Sequence, residues 1–205
     1  PMTRSSQGIA DLLLDLLPMQ QCYVARDKVP PPALRAAIDR LFPWLRYMRM
    51  GDGQLARFHG AGVPEYAKLA TVLAYDETLH DLTPSPDLGY MRVEAGHTVV
   101  LVDTAGPPAL EVLDRAHASS LAFEMSSGNH LLIINCGSPT AQHEAMRRLA
   151  RSTAAHSTLA IEGASSGHLV PAAQMPGLGG VDGLTGPSAV QASMTTHAGG
   201  TTEIE

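Results

Sequence analysis

The chain has 205 residues, of which 44% are hydrophobic and 17% charged, and it carries a formal net charge of −6. This length predicts one domain, or one domain plus a fragment of another, and the absence of an apolar run of about 18 residues argues against membrane insertion. Because binding to nucleic acid depends on clustered lysine and arginine, the acidic balance argues against a nucleic-acid partner.

The first predicted element is a helix near the start of the chain. Residues 9–17, IADLLLDLL, are apolar on nearly all sides, which is typical of a helix packed between neighbours. Ser5 and Ser6 offer N-cap oxygens, and Pro18 marks the predicted end of the helix.

A second helix is predicted between the three prolines at 30–32 and Gly51, because proline favours the first helical turn and glycine favours a stop. Its apolar stripe consists of Leu34, Ile38, Leu41, Leu45 and Met48. Two such helices joined by a short link form an αα-hairpin, which cannot close a core alone and belongs to a larger helical array. We therefore predict a helical remnant over residues 1–50 and a second domain over residues 51–205.

Beyond Gly51 the hydrophobic period becomes strand-like, apart from one short helix predicted over residues 64–73. The predicted strands are residues 88–94, 97–103, 120–126, 130–136, 157–161 and 190–196. The first four strands form two hairpins, and a Pro/Gly-rich loop over residues 171–187 separates the last two strands. The predicted fold class is α+β, with a short helical hairpin followed by antiparallel β-structure.

Three polar side chains lie next to the ends of predicted strands. His117 precedes residues 120–126, Asn135 lies near the end of the following strand, and His156 opens the next one. If these strands are neighbours in one sheet, two imidazoles and an oxygen donor converge as they do around Zn²⁺. The histidines lack the short paired spacing of a zinc finger, so two structural histidines hydrogen-bonded at strand ends are the alternative.

Several segments resemble the heparinase II/III-like family of polysaccharide lyases. They are LLLDLLP, GDGQLARFHGAG, AHASSLAFEM, INCG and RSTAAHSTL, which in this order cover most of residues 9–162. The resemblance implies the end of an α/α-toroid followed by an antiparallel β-sandwich domain. It also implies β-elimination on an acidic, uronate-containing polysaccharide, in which a donor neutralises the carboxylate, a base removes the C5 proton and an acid protonates the leaving oxygen.

The resemblance assigns a metal role to three residues. His117, Asn135 and His156 match the ligand positions of those family members that hold zinc, and Asn135 stands where an aspartate often lies. Zn²⁺ is therefore the expected cofactor, and we expect weak binding because an amide oxygen replaces a carboxylate.

Four arginines are the predicted contacts to an acidic substrate, one at a position where the chain departs from the family and three because of their positive charge. Arg115 stands where the family has a histidine that resembles a catalytic group, and its guanidinium suits the neutralisation of a carboxylate, so Arg115 is the predicted catalytic residue. The predicted substrate-binding residues are Arg147, Arg148 and Arg151, with a solvated arginine cluster as the alternative. Other catalytic groups of the family come from the toroid, so we expect the chain to need an upstream toroid region or a partner chain.

The sequence is compatible with two functions and does not decide between them. The first is part of a carbon–oxygen lyase that cleaves an acidic polysaccharide. The alternative is a non-catalytic carbohydrate-binding or scaffold β-domain with a structural metal site. The family resemblance implies a location in the periplasm or cell envelope, although the first residues of the chain lack the pattern of a secretory signal peptide.

Overall fold

A computed structural model of the chain describes residues 3–63, 65–76, 88–106, 115–139, 143–174, 182–187, 190, 192–196 and 202–204. Within these ranges the helices are α1 (Ser6–Val24), α2 (Pro32–Tyr47), α3 (Tyr66–Leu73) and α4 (Glu144–Ala150). The strands are β1 (Tyr90–Ala95), β2 (Thr98–Asp103), β3 (Phe123–Ser127), β4 (His130–Ile133), β5 (His168–Val170), β6 (Gly183–Thr185), β7 (Met194–Thr196) and β8 (Thr202–Ile204). Strands β1 to β4 form one antiparallel sheet in chain order, and β5–β6 and β7–β8 form two antiparallel pairs. The predicted α+β class, with helices first and antiparallel sheets after them, is confirmed.

Helix α1 begins as the sequence predicts and ends later. Ser5 is the N-cap, and its side chain accepts a hydrogen bond of 3.3 Å from the backbone N–H of Gly8. The predicted end at Pro18 is wrong, because the helix continues through the proline to Val24. Leu17 is buried and Tyr23 packs against the core, and this packing offsets the hydrogen bond that proline cannot donate.

Helix α2 packs on α1 and forms the predicted αα-hairpin. All five residues of its predicted apolar stripe are buried in the same cluster as the inward face of α1. No helix in the described part of the chain is long and apolar enough to cross a membrane.

The two predicted hairpins, β1–β2 and β3–β4, are present with small shifts in their ends. The first turns at Gly96 and His97, one residue later than predicted, and β4 ends at Ile133. The predicted strand at residues 157–161 is wrong. The backbone N–H of Ser157 donates to Asn135 Oδ1 at 3.0 Å and that of Thr158 to the His156 carbonyl at 2.9 Å, so these donors are not in a strand ladder.

The carboxy-terminal third differs most from the prediction. The predicted loop over residues 171–187 contains strand β6, which pairs with β5, and its residues 175–181 lie outside the described part of the chain. Within the predicted strand at residues 190–196, the described strand residues are Met194–Thr196, and residue 191 lies outside the described part of the chain. Helix α3 confirms the short predicted helix, although Pro64 lies outside the described residues.

The main hydrophobic core is shared between the helical hairpin and the first sheet. It contains the inward faces of α1 and α2 together with Phe58, Tyr90 and Leu101. Tyr47, the last residue of α2, accepts a 2.8 Å hydrogen bond from the backbone N–H of Arg92 in β1. Gly51 approaches the β3–β4 turn so closely that a Cβ atom would overlap the carbonyl oxygen of Gly128. The division into residues 1–50 and 51–205 stays a prediction, and the described interior is continuous across it.

Candidate functional site

Two of the predicted site residues meet in the interior, beside the first sheet. His117 lies in the loop that leads into β3, and His156 directly follows the 3₁₀ turn Thr153–Ala155 that comes after α4. His117 Nδ1 lies 3.1 Å from His156 Nε2, and the side chains are only 4% and 9% exposed. The two rings meet edge to face, with centroids 5.2 Å apart.

Hydrogen bonds determine which nitrogen of each histidine carries the proton. Among the described residues, His156 Nδ1 is paired with the carbonyl of Ser152 at 2.8 Å, which can only accept, so this nitrogen donates and Nε2 accepts. His117 Nδ1 therefore donates to His156, and His117 Nε2 accepts from the backbone N–H of Gly60 at 3.2 Å. All four ring nitrogens are thus satisfied when both histidines are neutral.

Burial favours the neutral form of both rings. Loss of solvation lowers the pKa of His117 well below its ordinary value, and the neighbouring His156 and His59 lower it further. Burial also lowers the pKa of His156, and its hydrogen bond to the Ser152 carbonyl only partly opposes this effect. The pair is therefore a neutral, hydrogen-bonded unit at pH 7.

A third buried histidine connects this pair to a buried carboxylate. His59 Nδ1 accepts a 3.2 Å hydrogen bond from the backbone N–H of His117. On the other side of the ring, His59 Nε2 lies 3.1 Å from Asp103 Oδ2, although its N–H is not aligned with that oxygen. Asp103 also accepts a 2.6 Å hydrogen bond from Ser119 Oγ and forms an ion pair with Arg4.

The environment of Asp103 favours its ionised form despite complete burial. Burial raises the pKa of this carboxyl, but His59, Arg4 and the Ser119 hydroxyl together outweigh burial and leave the pKa below its ordinary value. The guanidinium of Arg4 also donates to the Gly89 carbonyl at 2.7 Å. Asp103 is therefore a structural anion that joins the start of the chain to the end of β2.

The third predicted metal ligand, Asn135, is occupied by hydrogen bonds. Its Nδ2 donates to Glu124 Oε1 at 3.2 Å, and its Oδ1 accepts from the backbone N–H of Ser157 at 3.0 Å. The same Glu124 oxygen accepts from the backbone N–H groups of Asn135 and Arg57, both at 3.0 Å. Burial raises the pKa of Glu124, while these hydrogen bonds oppose the shift. Asn135 thus holds β4 against the segment that follows His156.

The described residues fit a zinc ion only in part. The 3.1 Å between His117 Nδ1 and His156 Nε2 is close to the roughly 3.3 Å that separates two nitrogens bound 2.0–2.1 Å from tetrahedral zinc. The third position holds the Asn135 amide, which is neutral and already shared between Glu124 and Ser157. No group of three or more His, Cys, Asp or Glu side chains in the described ranges is arranged to hold a metal ion. Zinc at His117, Asn135 and His156 stays a prediction.

The substitution Asn135→Asp tests whether the missing carboxylate limits metal binding. In the absence of metal it replaces the 3.2 Å hydrogen bond to Glu124 by a contact between two carboxylates, and we expect a loss of about 2 kcal/mol in the free energy of unfolding. Added Zn²⁺ should recover this loss, since a site filled at about 100 times its Kd contributes about 2.7 kcal/mol. Urea denaturation with and without Zn²⁺ measures both effects.

The matched control for this test is Asn129→Asp, in the exposed β3–β4 turn. It makes the same chemical change away from the histidines, so neither its stability nor its zinc response should differ from the wild type. Equal zinc affinity in the two variants would contradict the assignment of residue 135 as a ligand position.

The predicted catalytic residue, Arg115, lies at the surface. Its side chain is exposed, and its guanidinium has no hydrogen-bond or ion-pair partner among the residues that the structure describes. It borders Gly60, where a Cβ atom would lie 3.2 Å from the Arg115 Cβ. Because the Gly60 N–H donates to His117, Arg115 is separated from the histidine pair by little more than this backbone segment.

The three predicted substrate-binding arginines are not equivalent. Arg147 pairs with Glu144 at 3.1 Å, and Arg148 pairs with Asp182 at 2.7 Å, both on the outer side of α4. Arg151 is buried, and it donates to the carbonyls of Ala116 and Asp182. A polysaccharide in solvent would not reach Arg151, which instead holds the loop before His117.

The residues that the sequence reasoning missed are His59, Asp103, Arg4 and Glu124. His59 lies inside the GDGQLARFHGAG segment that supports the family resemblance, so a signal for it was present. Asp103 ends the strongly β-branched run of β2, where a charged residue after buried strand positions indicates a buried partner. Their partners are distant in sequence, and spacing alone does not reveal them.

A family profile described as "Heparinase II/III-like, C-terminal" matches residues 77–201, which is more than half of the chain. The chain belongs to the heparinase II/III-like family. This confirms the resemblance found in the sequence. The heparinase II/III-like chain is also 35% identical over 167 residues to FtsZ-localized protein C of Caulobacter vibrioides, a match that covers 80% of the chain and 28% of that relative.

Solved structures show the same fold at much lower sequence identity. A heparinase III with methylated lysines superposes with a TM-score of 0.58 at 14% identity, and the match covers 82% of this chain and 31% of that structure. The heparan sulfate lyase HepC from Pedobacter heparinus gives a TM-score of 0.57 at 14% identity, with the same coverage of 82% and 31%. The chain therefore spans less than a third of the length of these relatives.

Proposed function

We propose that this chain is a heparinase-like domain that binds an acidic polysaccharide and does not itself supply the acid or the base of β-elimination. The observation that carries the proposal is the hydrogen bonding of the histidine pair. All four ring nitrogens of His117 and His156 are used inside the protein, and both rings are neutral and buried. A general acid or base must reach a proton of the substrate, and these imidazoles face other protein groups.

The exposed guanidinium of Arg115 supports the binding half of the proposal. It lies beside Gly60, one of the residues that line a groove with Gln7, Gly62, Val63, Glu65, Ser138 and Pro139. The carboxylate of Glu65 is paired with Lys68. A planar guanidinium forms paired hydrogen bonds with a carboxylate, which is the charged group of a uronate. Arginine at this position would bind and neutralise the uronate without transferring a proton.

The experiment measures binding and cleavage separately with heparin, heparan sulfate and alginate. We expect saturable binding of one of these polysaccharides and no rise in the ultraviolet absorbance of an unsaturated product. Arg115→Gln should weaken binding about tenfold, the size of one charge-assisted hydrogen bond. Arg35→Gln, on the exposed side of α2, is the matched control and should leave binding unchanged.

The two halves of the proposal fail in different ways. An unsaturated product made by the 205-residue chain would overturn the claim that it lacks the acid and the base. Equal binding by the Arg115→Gln and Arg35→Gln variants would overturn the role of Arg115, whatever the result of the cleavage assay.

A second candidate function is that this chain forms one part of a lyase active site, which other parts of a longer protein complete. It is favoured by the solved lyases, of which the chain covers only 31%, so that most of a comparable protein would lie outside this sequence. In that case a longer protein containing this chain would release unsaturated product, and Arg115→Gln would lower its kcat. Absence of product from the longer protein would leave only the binding function.

We propose that the chain is located in the cell envelope, and this proposal is based on the family resemblance. The name of the Caulobacter relative says that this relative is localised with FtsZ, which favours a scaffold role beside FtsZ over a purely degradative one. Fluorescence microscopy of a tagged chain tests this. Signal that gathers with FtsZ supports the scaffold role, and signal spread evenly through the cytoplasm contradicts the envelope location.

A further inference from the structure

A second cleft lies beside the loop that follows β4 and adjoins the groove that contains Gly60. It has a volume of about 510 Å³, within the roughly 300–1,000 Å³ of small-molecule sites. Its walls are mostly apolar side chains from three segments: Val63, Cys136, Pro139, Met146, Leu149 and Ala155. Several of these side chains are largely exposed, including Leu149 at 62%, so the described surface presents an apolar patch that solvent does not favour.

One charged residue, Arg57, stands among the described residues that line this cleft. Its backbone N–H is fixed by the 3.0 Å hydrogen bond to Glu124 Oε1. Its side chain lies along Gly137, where a Cβ atom would be 3.5 Å from the Arg57 Cδ. Within the described part of the chain its guanidinium has neither a hydrogen-bond nor an ion-pair partner. The cleft thus combines an apolar wall with one cation whose donors are unused.

We propose that this cleft binds a small amphipathic carboxylate, with its hydrocarbon part on Met146 and Leu149 and its carboxylate on Arg57. A single cation beside an apolar wall matches one anionic group on a hydrocarbon body. A sugar chain fits poorly here, because its hydroxyl groups would lose water and find few partners on these walls. The cleft adjoins the polysaccharide groove beside Arg115 and shares Gly62, Val63, Ser138 and Pro139 with it. Arg57, Met146 and Leu149 line the cleft but are not among the groove residues, so the proposal does not depend on the function proposed for the groove.

The test compares two probes of equal chain length, decanoate and decan-1-ol, by isothermal titration to the 205-residue chain below the micelle concentration. We expect decanoate to bind once per chain and more tightly than the alcohol. Arg57→Gln should weaken decanoate about tenfold and leave decan-1-ol unchanged, because only the acid uses the guanidinium. Leu149→Gln should weaken both probes. Since Leu149 is 62% exposed, this change should not prevent folding.

Arg35→Gln, remote from the cleft on α2, is the control and should bind both probes as the wild type does. Equal loss of decanoate and decanol in the Arg57→Gln variant would overturn the charge pairing. Unchanged affinity for both probes in the Leu149→Gln variant would overturn the location. Displacement of decanoate by heparin that persists unchanged in the Arg115→Gln variant would place heparin itself in this cleft and overturn its preference for a small amphipathic carboxylate.

Discussion

Replacing Asp103 with asparagine is expected to lower the free energy of unfolding by about 3–5 kcal/mol, the cost of breaking a buried ion pair by removing one partner. The carboxylate accepts from Arg4 and Ser119 and contacts His59 Nε2, and the Arg4 and Asp103 side chains are both nearly inaccessible to solvent. Asparagine keeps the shape but removes the negative charge, so the guanidinium of Arg4 remains buried without its counterion.

Urea denaturation followed by circular dichroism measures this loss. Asp39→Asn, on the exposed face of α2, makes the same change in solvent and should alter stability by less than about 0.5 kcal/mol. A double variant that also replaces Arg4 with methionine should recover part of the loss, because it removes the unpaired buried charge. A loss of under 1 kcal/mol in Asp103→Asn would contradict a structural role for this anion.

The ion pair also explains why the helical hairpin and the sheet share one interior. Arg4 precedes α1, and Asp103 ends β2 almost a hundred residues later. The Tyr90 hydroxyl, in β1, donates to the backbone carbonyl of Arg4 at 2.7 Å, and the guanidinium lies 4.9 Å from the centre of the Tyr90 ring. The start of the chain is therefore fixed to the sheet by charge and by aromatic packing. We expect loss of this link to uncouple the two parts.

Hydrophobic periodicity predicted the two helices of the hairpin and the four strands of the first sheet, whose hydrogen-bond partners lie in the same helix or in a neighbouring strand. The stripe of α2 and the alternation in the two hairpins decide which face is buried, and both are local properties. The predicted end of α1 at Pro18 failed because the packing of Leu17 and Tyr23, which is not local, outweighs one missing hydrogen bond. The predicted strand at residues 157–161 failed because the side chain of Asn135 accepts the Ser157 N–H from another segment.

The sequence also predicted only part of the candidate site, because contacts between residues distant in sequence leave no local pattern. The resemblance placed His117 and His156 together, and the structure brings their nitrogens within 3.1 Å. His59 was missed because its contact to the His117 backbone joins residues 58 apart in sequence. Arg151 carries the charge expected of a substrate-binding residue, but its guanidinium is buried and donates to backbone carbonyls, so its role is structural. A buried polar network is specified by its partners, which only the folded chain brings together.

Lowering the pH from 7 toward 5 is expected to destabilise the protein through the histidine pair. Burial lowers the pKa of His117 and of His156 below 6.5 in the folded chain, whereas the unfolded chain regains the ordinary value of about 6.5. The stabilising contribution is therefore fully present above pH 6.5. It is lost as the pH falls from 6.5 through the folded pKa values, because only the unfolded state then binds the protons.

A histidine that protonates only on unfolding contributes a slope of at most about 1.4 kcal/mol per pH unit, so the pair contributes at most about 2.7 kcal/mol per unit. Glu124 acts in the opposite direction, since burial raises its pKa and its protonation stabilises the folded state as the pH falls toward 4.5. The depressed pKa of Asp103 affects stability only below its ordinary value of 3.8. Between pH 5 and 6.5 the histidines should therefore dominate.

Urea denaturation at half-unit steps of pH measures the slope. His156→Gln should remove about half of the slope between pH 5 and 6.5, since one of the two titrating groups is gone. His130→Gln, at the exposed start of β4, is the matched control and should keep the full slope. If both variants kept the wild-type slope, the acid sensitivity would have to come from other groups. The assignment of His117 and His156 as a neutral, hydrogen-bonded pair would then be wrong, and the proposed lack of catalysis depends on that assignment.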